Sequence, residues 1–310
     1  MSRILVTGGA GFIGSHLCAT LLGQGHEVLA MDTFVTGRNE NLEEIFYHDN
    51  FRLVEHDVTE FIHVSGELDT VIHLASLASP RFYQRNPIKT LKVGALGTHK
   101  TLGLAMEKDA TYFFASTSEV YGDPEVNPQP ESYRGNVDPY GPRSCYDESK
   151  RYGESLIRAY REEHGLDTRI ARIFNTYGPR MRPDDGRVIP SFVRQALTGT
   201  DMTVYGDGTQ TRSFCYVSDL IDGFIGLLDS DVQDPVNLGN PNERTIQALA
   251  ETVLEMTNSD SQITYEPLPP QDPMVRKPDI TKAETELGWS PHVGLKNGLE
   301  TTIEYFENVL

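Results

Sequence analysis

Short, nearly continuous apolar runs alternate with longer amphipathic stretches over the first 176 residues. RILVT (3–7), EVLAM (27–31), FRLVEH (51–56), TVIHLA (70–75), TYFFAS (111–116) and TRIARIF (168–174) are rich in β-branched and aromatic residues. Runs of this length suit strands of a parallel sheet that helices cover on both faces. Between them, FIGSHLCATLLGQG, PIKTLKVGALGTHKTLGLAMEK and CYDESKRYGESLIRAYREEHG read as helices. Strand, helix and strand in this order predict an α/β chain: a Rossmann-like, doubly wound parallel sheet with right-handed crossovers.

Beyond residue 176 the pattern changes. NTYGPRMRPDDGR (175–187) reads as a loop, VIPSFVRQALTG as a helix and MTVYG as a short strand, with further helices after it. PVNLGN (235–240) is expected to return to the sheet. YEPLPPQDPMVRKPD (265–279) holds five prolines in fifteen residues and reads as a loop or an extended crossing segment. The expected division is a first domain over 1–176 with a return segment near 213–240. A smaller C-terminal substrate-binding lobe would follow from 177–212 and 241–310.

Composition narrows the class. The 310 residues carry 27 Lys and Arg against 45 Asp and Glu, a net charge of −18. So acidic a chain lacks the basic excess that phosphate neutralisation needs, which argues against nucleic-acid binding. An anionic substrate would need arginines gathered locally. No apolar run approaches the roughly 20 residues of a membrane helix, and SRILVTGG leaves no room for a leader before the first strand. Cys18, Cys145 and Cys215 are too scattered for a disulfide framework or a zinc site. The expectation is a cytoplasmic protein with no membrane partner.

The first chemical signal is TGGAGFIG (7–14). Gly8, Gly11 and Gly14 fall between the first strand and the first helix, where a backbone must turn tightly and approach a pyrophosphate. Asp32 ends the second strand eighteen residues past Gly14. Its carboxylate suits ribose hydroxyls and repels a 2′-phosphate, which favours NAD over NADP despite the nearby Arg38. Phe12, Ile13, Asp57, Val58, Leu74 and Ala75 are the further candidate cofactor contacts.

Tyr146 and Lys150 share one helix face at i, i+4. Behind a dinucleotide fold, a lysine ammonium would lower the phenol pKa, so that Tyr146 takes a hydroxyl proton as hydride leaves the same carbon. Thr117, one strand over, could hydrogen-bond that oxygen. Together TGxxGxxG, the Ser/Thr before VYG, and YxxxK resemble the extended short-chain dehydrogenase/reductases that act on nucleotide-linked sugars.

Within that superfamily the residues after the threonine divide the reactions. Sugar-nucleotide 4,6-dehydratases carry Asp-Glu, whereas this chain has Ser118-Glu119 and so lacks the acid that would expel water. Epimerases generally lack the glutamate. YGDPEVNPQPE, GPRSCYDESKR, GPRMRPDDGRV and QTRSFCYVSDL resemble the UDP-glucuronate decarboxylase, or UDP-xylose synthase, branch. The resemblance implies NAD-dependent decarboxylation of a UDP-sugar acid through a 4-keto intermediate, NAD being recycled in the site, and a homodimer. It implies catalytic Thr117, Ser118, Glu119, Tyr146 and Lys150, with Arg212 near the reacting carbon. Glu119 would position sugar or water and strain the substrate carboxylate by like-charge repulsion. Asn175 and Arg276 would meet the diphosphate, Arg187 and Val188 the uridine, and Arg143 the substrate carboxylate.

Two departures from the branch stand out: Gly94 where an NxxGT pattern usually has Asn, and Ser149 for a frequent Gly in the YxxxK helix. His73, inside a strand, reads as a core histidine, and Asp184-Asp185 as turn chemistry, so no metal is expected. The alternatives are a UDP-glucuronate 4-epimerase, a nucleotide-sugar 4,6-dehydratase and a non-catalytic NAD-binding sensor.

Overall fold

In the computed structural model, which describes residues 1–268 and 275–310, the six apolar runs form strands. These are β1 (Arg3–Thr7), β2 (Glu27–Asp32), β3 (Phe51–Glu55), β4 (Thr70–His73), β5 (Thr111–Thr117) and β6 (Thr168–Ile173). α1 (Phe12–Gly23) connects the first pair. α2 (Pro80–Arg85) and α3 (Pro87–Lys92) each begin with a proline at the first helical position, where its missing N–H costs nothing. The sequence predicts one helix from Pro87 to Lys108. The structure breaks it with a π turn, Val93–Gly97, before α4 (Thr98–Lys108). α5 (Ser144–His164) carries Tyr146 and Lys150.

The second half begins with β7 (Thr176–Tyr177), α6 (Val188–Leu197), β8 (Met202–Tyr205), β9 (Thr211–Ser213) and β10 (Cys215–Tyr216). α7 (Val217–Leu228) leads to β11 (Val236–Leu238), followed by β12 (Glu243–Thr245) and α8 (Ile246–Thr257). β13 (Ile263–Glu266), β14 (Val275–Arg276), α9 (Thr281–Leu287) and α10 (Leu295–Val309) complete the described residues. The middle of the proline-rich 265–279 stretch lies outside them.

Among the described residues seven strands make one parallel sheet in the order β11-β6-β5-β4-β1-β2-β3. The direction of winding reverses between β1 and β4, and such switch points open a crevice at the carboxyl ends of the strands. One face packs Leu17 and Leu21 of α1 against Leu220 and Phe224 of α7. The other packs Leu102 of α4 against Ile157 of α5. A separate core, with Phe192, Val204, Leu249, Val253, Leu299 and Phe306, holds the smaller lobe together. β11 is fixed by Asn237, whose amide donates to the carbonyls of Gln129 and Asp279 and accepts from the Tyr121 hydroxyl.

Candidate active site

A cleft of about 600 Å³ opens at the switch point between the sheet and the smaller lobe. Gly8, Gly11, Phe12, Ile13, Gly14, Asp32, Asp57, Val58, Leu74 and Ala75 line one end of it. Thr117, Ser118, Glu119, Arg143, Tyr146 and Lys150 line its middle, with Asn175, Arg187, Val188, Arg212 and Arg276 on the lobe side. The fold thus gathers all the candidates, from segments spread along the whole chain, into one place.

At the glycine end the backbone is too close for side chains. A Cβ on Gly14 would lie 2.1 Å from the Gly8 carbonyl oxygen, and one on Gly8, at φ +74°, 2.9 Å from the Ala75 nitrogen. This leaves a bare helix N-terminus facing the cleft, the arrangement that receives a diphosphate. Asp32 accepts the amides of Ala10 (3.0 Å) and Phe34 (2.9 Å), and burial raises its carboxyl pKa. Arg38 turns to the Tyr305 hydroxyl (2.5 Å) and the Asn41 side chain (3.5 Å). A fixed carboxylate, with the nearby arginine committed elsewhere, fits an adenosine with a free 2′-hydroxyl, as in NAD. Asp32→Ala is expected to weaken NAD binding about tenfold, the scale of a hydrogen bond to a charged group, and to narrow the preference over NADP. Parallel titrations with the two nucleotides measure both.

Thr117 ends β5 and caps the 3₁₀ turn Ser118–Tyr121, its Oγ1 accepting the Glu119 amide at 3.3 Å. Opposite it, Tyr146 and Lys150 are buried in α5. Lys150 Nζ donates to the Ala115 carbonyl at 2.8 Å and lies 4.8 Å from the Phe114 ring centroid. Beneath, Arg172 of β6 grips Glu154 of α5 through both carboxylate oxygens, at 2.9 and 2.7 Å, bracing the catalytic helix on the sheet.

Without nucleotide, burial dominates the electrostatics of both Lys150 and Tyr146. Burial pulls the Lys150 ammonium down to about 7 and raises the Tyr146 phenol above its ordinary value. The Thr117 hydroxyl and Arg187 pull the phenol back down, and Lys150 Nζ lies 6.0 Å from the Tyr146 ring centroid. A pH dependence follows. An anionic dinucleotide favours the charged lysine, so NAD binds best where Lys150 is protonated. Apparent affinity is expected to fall as pH rises above about 7, and Lys150→Met is expected to flatten that slope; titrations across pH on nucleotide-free protein test it.

Glu119 is held between two arginines, Arg143 and Arg276, each in direct contact with one carboxylate oxygen. Burial works against its charge, but Arg276 and Arg143 overcome this and hold the carboxyl well below the usual range. Three of the candidate arginines are involved here. Arg143, expected at the substrate carboxylate, is paired with Glu119. Arg276, expected at the diphosphate, stands at the end of β5 and also donates to the Gly122 carbonyl at 3.3 Å. Arg212, expected there, lies one strand further in, register-paired with Arg276. The cause is Gln129, which clamps Lys277 through reciprocal 2.9 Å backbone and side-chain bonds and so draws residue 276 beside Gly122. The like-charge strain expected from Glu119 is correspondingly muted by its partners.

Two further side chains escaped the sequence. Tyr83 of α2 stacks on Tyr146 with ring centroids 5.2 Å apart and planes within 3°. Asp147 is buried, and burial together with Glu119 raises its carboxyl. Asp147 adjoins the YxxxK tyrosine, but no pattern showed that it points inward; Tyr83 belongs to no motif. Elsewhere, Asn175 donates to the Ser213 carbonyl at 3.4 Å, and Arg187 pairs with Asp185 at 2.5 and 2.9 Å. Asp184 accepts from the Arg182 guanidinium at 2.9 Å, and Asp185 accepts the Arg187 amide two residues on at 3.3 Å, as in an Asx turn. His73 bonds Thr7 at 2.8 Å inside the sheet, and burial pushes its pKa down to about 3, as suits a core histidine.

Residues 5–302 match the family model described as GDP-mannose 4,6 dehydratase. UDP-glucuronic acid decarboxylase 1 of Xenopus tropicalis is 52% identical over 308 residues, covering 99% of this chain and 73% of that one. UDP-glucuronic acid decarboxylase 5 of Arabidopsis thaliana is 53% identical over 305 residues, 98% of this chain and 89% of its own. Among solved structures, the UDP-glucuronic acid 4-epimerase of Bacillus cereus, in complex with UDP-glucuronic acid and NAD, is 28% identical. It superposes with a TM-score of 0.87 over 99% of this chain and 100% of that chain. Among the described residues no helix is long and apolar enough to cross a membrane.

Proposed function

The chain belongs to the UDP-glucuronic acid decarboxylase family, and from that premise we propose how its residues divide the reaction. It is an NAD-dependent carboxy-lyase that converts UDP-glucuronate to UDP-xylose through a UDP-4-keto intermediate. The carrying observation is the ionised Glu119, locked between Arg143 and Arg276, beside an intact Thr117, Tyr146 and Lys150 set.

NAD, when bound, accepts a hydride from sugar C4 and later returns it. Tyr146, as the phenolate that Arg187 and the positive charge of a bound nicotinamide would favour, takes the O4 proton in that first step, with Thr117 hydrogen-bonded to the same oxygen. The product is a β-keto acid. Its C5–C6 bond breaks as the bonding pair flows towards the C4 carbonyl, leaving an enolate and carbon dioxide. The Tyr146 and Thr117 hydroxyls donate to the enolate oxygen, where the charge develops. Glu119, held ionised, is no general acid. Together with Arg143 and Arg276 it presents one net positive charge, enough to seat the hexuronate carboxylate. By sharing the two guanidiniums it keeps them from clamping that carboxylate too firmly to leave. C5 then takes a proton from water held at Glu119 and Arg276, and Tyr146 reprotonates O4 as hydride returns.

Ser118 turns the chain so that Thr117 and Glu119 face the cleft together, while Asn175, Arg187, Val188 and Arg212 receive the uridine diphosphate. The large-domain and lobe division at 1–176, 213–240, 177–212 and 241–310 assigns cofactor to the first and nucleotide sugar to the second. A homodimer through α3, the π turn and α5 fits the exposed Ile88, Leu91, Leu96 and Tyr152, and three free, buried cysteines fit a cytoplasmic setting.

Proton NMR of the protein incubated with UDP-glucuronate tests the assignment. A UDP-pentose with C5 methylene protons is expected. A UDP-galacturonate signal would make the protein an epimerase, and binding of NAD with no turnover would make it a sensor.

A further inference from the structure

The two departures noted in the sequence face each other. Gly94 lies in the π turn and Ser149 in α5, between Tyr146 and Lys150. A Cβ on Gly94 would lie 2.4 Å from Ser149 Cβ, 2.7 Å from its Oγ and 3.3 Å from its Cα. Contacts this short cannot be relieved by rotating the serine, because Cβ and Cα are fixed to the helix. Relief would require the turn and the helix to move apart. The same turn is pinned at the cofactor end by Gly97, whose added Cβ would lie 2.8 Å from Val58 Cγ2. Val58 lines the cleft.

Ser149 is suited to face bare backbone. It is 3% exposed, and its hydroxyl donates to the Tyr146 carbonyl at 2.8 Å, within its own helix. This internal bond satisfies the buried donor without a polar partner on the π turn. π turns also recur where a helix must be adjusted locally around a site.

We propose that Gly94 and Ser149 form a size-matched pair that fixes the spacing between the π turn and the catalytic helix. Ser149 is then a positioning residue that acts through Tyr146 and Lys150. The pair needs one side chain of hydroxymethyl size, and it can come from either partner. The proposal rests on the decarboxylase reading for its assay, and wild-type turnover in the same assay separates a failure of that reading from a failure of this one.

Gly94→Ala is expected to lower kcat about 10²-fold, the scale of a displacement near 1 Å at a catalytic group. KM and NAD affinity should change little, and the pH profile of kcat should shift with the altered Tyr146. The reciprocal variant, Gly94→Ser with Ser149→Gly, is expected to recover to within about fivefold of wild type, since volume-conserving exchanges are tolerated best. Wild-type kcat in Gly94→Ala would overturn the proposal. So would a double variant no more active than Gly94→Ala, because a merely structural clash would alter melting temperature without this rescue of kcat. Should Gly94→Ala not fold, the double variant decides alone: activity supports the pair, and inactivity or insolubility overturns it.

Discussion

Tyr146→Phe is expected to lower kcat by about 10³-fold, within the usual range for losing a positioned acid–base group. The phenol is the residue to which burial, Thr117 and Arg187 all speak, and it serves twice. It removes the O4 proton during oxidation and restores it during reduction. The phenylalanine keeps the ring, so the stack on Tyr83 at 5.2 Å should survive and NAD should still bind. Neither reduced nicotinamide nor carbon dioxide should then accumulate in a single turnover, because the block precedes the ketone. Thr117→Val should show the same block more weakly, since it removes a hydrogen bond to the reacting oxygen and leaves the base in place. Formation of reduced nicotinamide at the wild-type rate in Tyr146→Phe would remove this residue from the mechanism.

Glu119→Gln is expected to act one step later and with a different signature. The amide has nearly the same shape but no charge, which leaves Arg143 and Arg276 without their shared counterion. Both guanidiniums then turn their full attraction on the substrate carboxylate, the group that has to leave. Ground-state binding should tighten while decarboxylation slows, so kcat and KM should fall together, kcat by about 10²-fold. Oxidation does not use Glu119, and so reduced nicotinamide and the 4-keto acid should build up in the burst. Full decarboxylation in this variant would show that the carboxylate only braces the arginines. Removing one partner of a buried ion group is also destabilising, so melting temperature should be followed alongside the rates.

The sheet was legible because buried parallel strands write themselves as apolar runs. RILVT, EVLAM, TYFFAS and TRIARIF became β1, β2, β5 and β6 with boundaries shifted by no more than a residue or two. The glycine loop and Asp32 were legible because their spacing encodes a backbone that must pass close to a ligand. The arginine partners of Glu119 were not. Arg276 is 157 residues away from Glu119 along the chain, and its placement depends on the Gln129 clamp, which leaves no pattern. The burial of Lys150 and Tyr146 was not legible for a related reason: i, i+4 spacing tells that two groups share a helix face, but not how deeply the face is buried. Burial lowers the lysine and raises the phenol. The π turn was hidden inside a convincing helical pattern; only the pairing of Gly94 with Ser149 in space gives the two odd residues a common cause.

The most direct test of the account follows a deuterium label. UDP-glucuronate carrying deuterium at sugar C4 is incubated with the NAD-loaded protein in ordinary water, and the product is read by NMR. Because hydride leaves and returns within one site, the account requires UDP-xylose with deuterium retained at C4 and a C5 methylene in place of the carboxylate-bearing C5. Loss of the label from C4 in the UDP-pentose, or a labelled product that still carries its carboxylate, would contradict it.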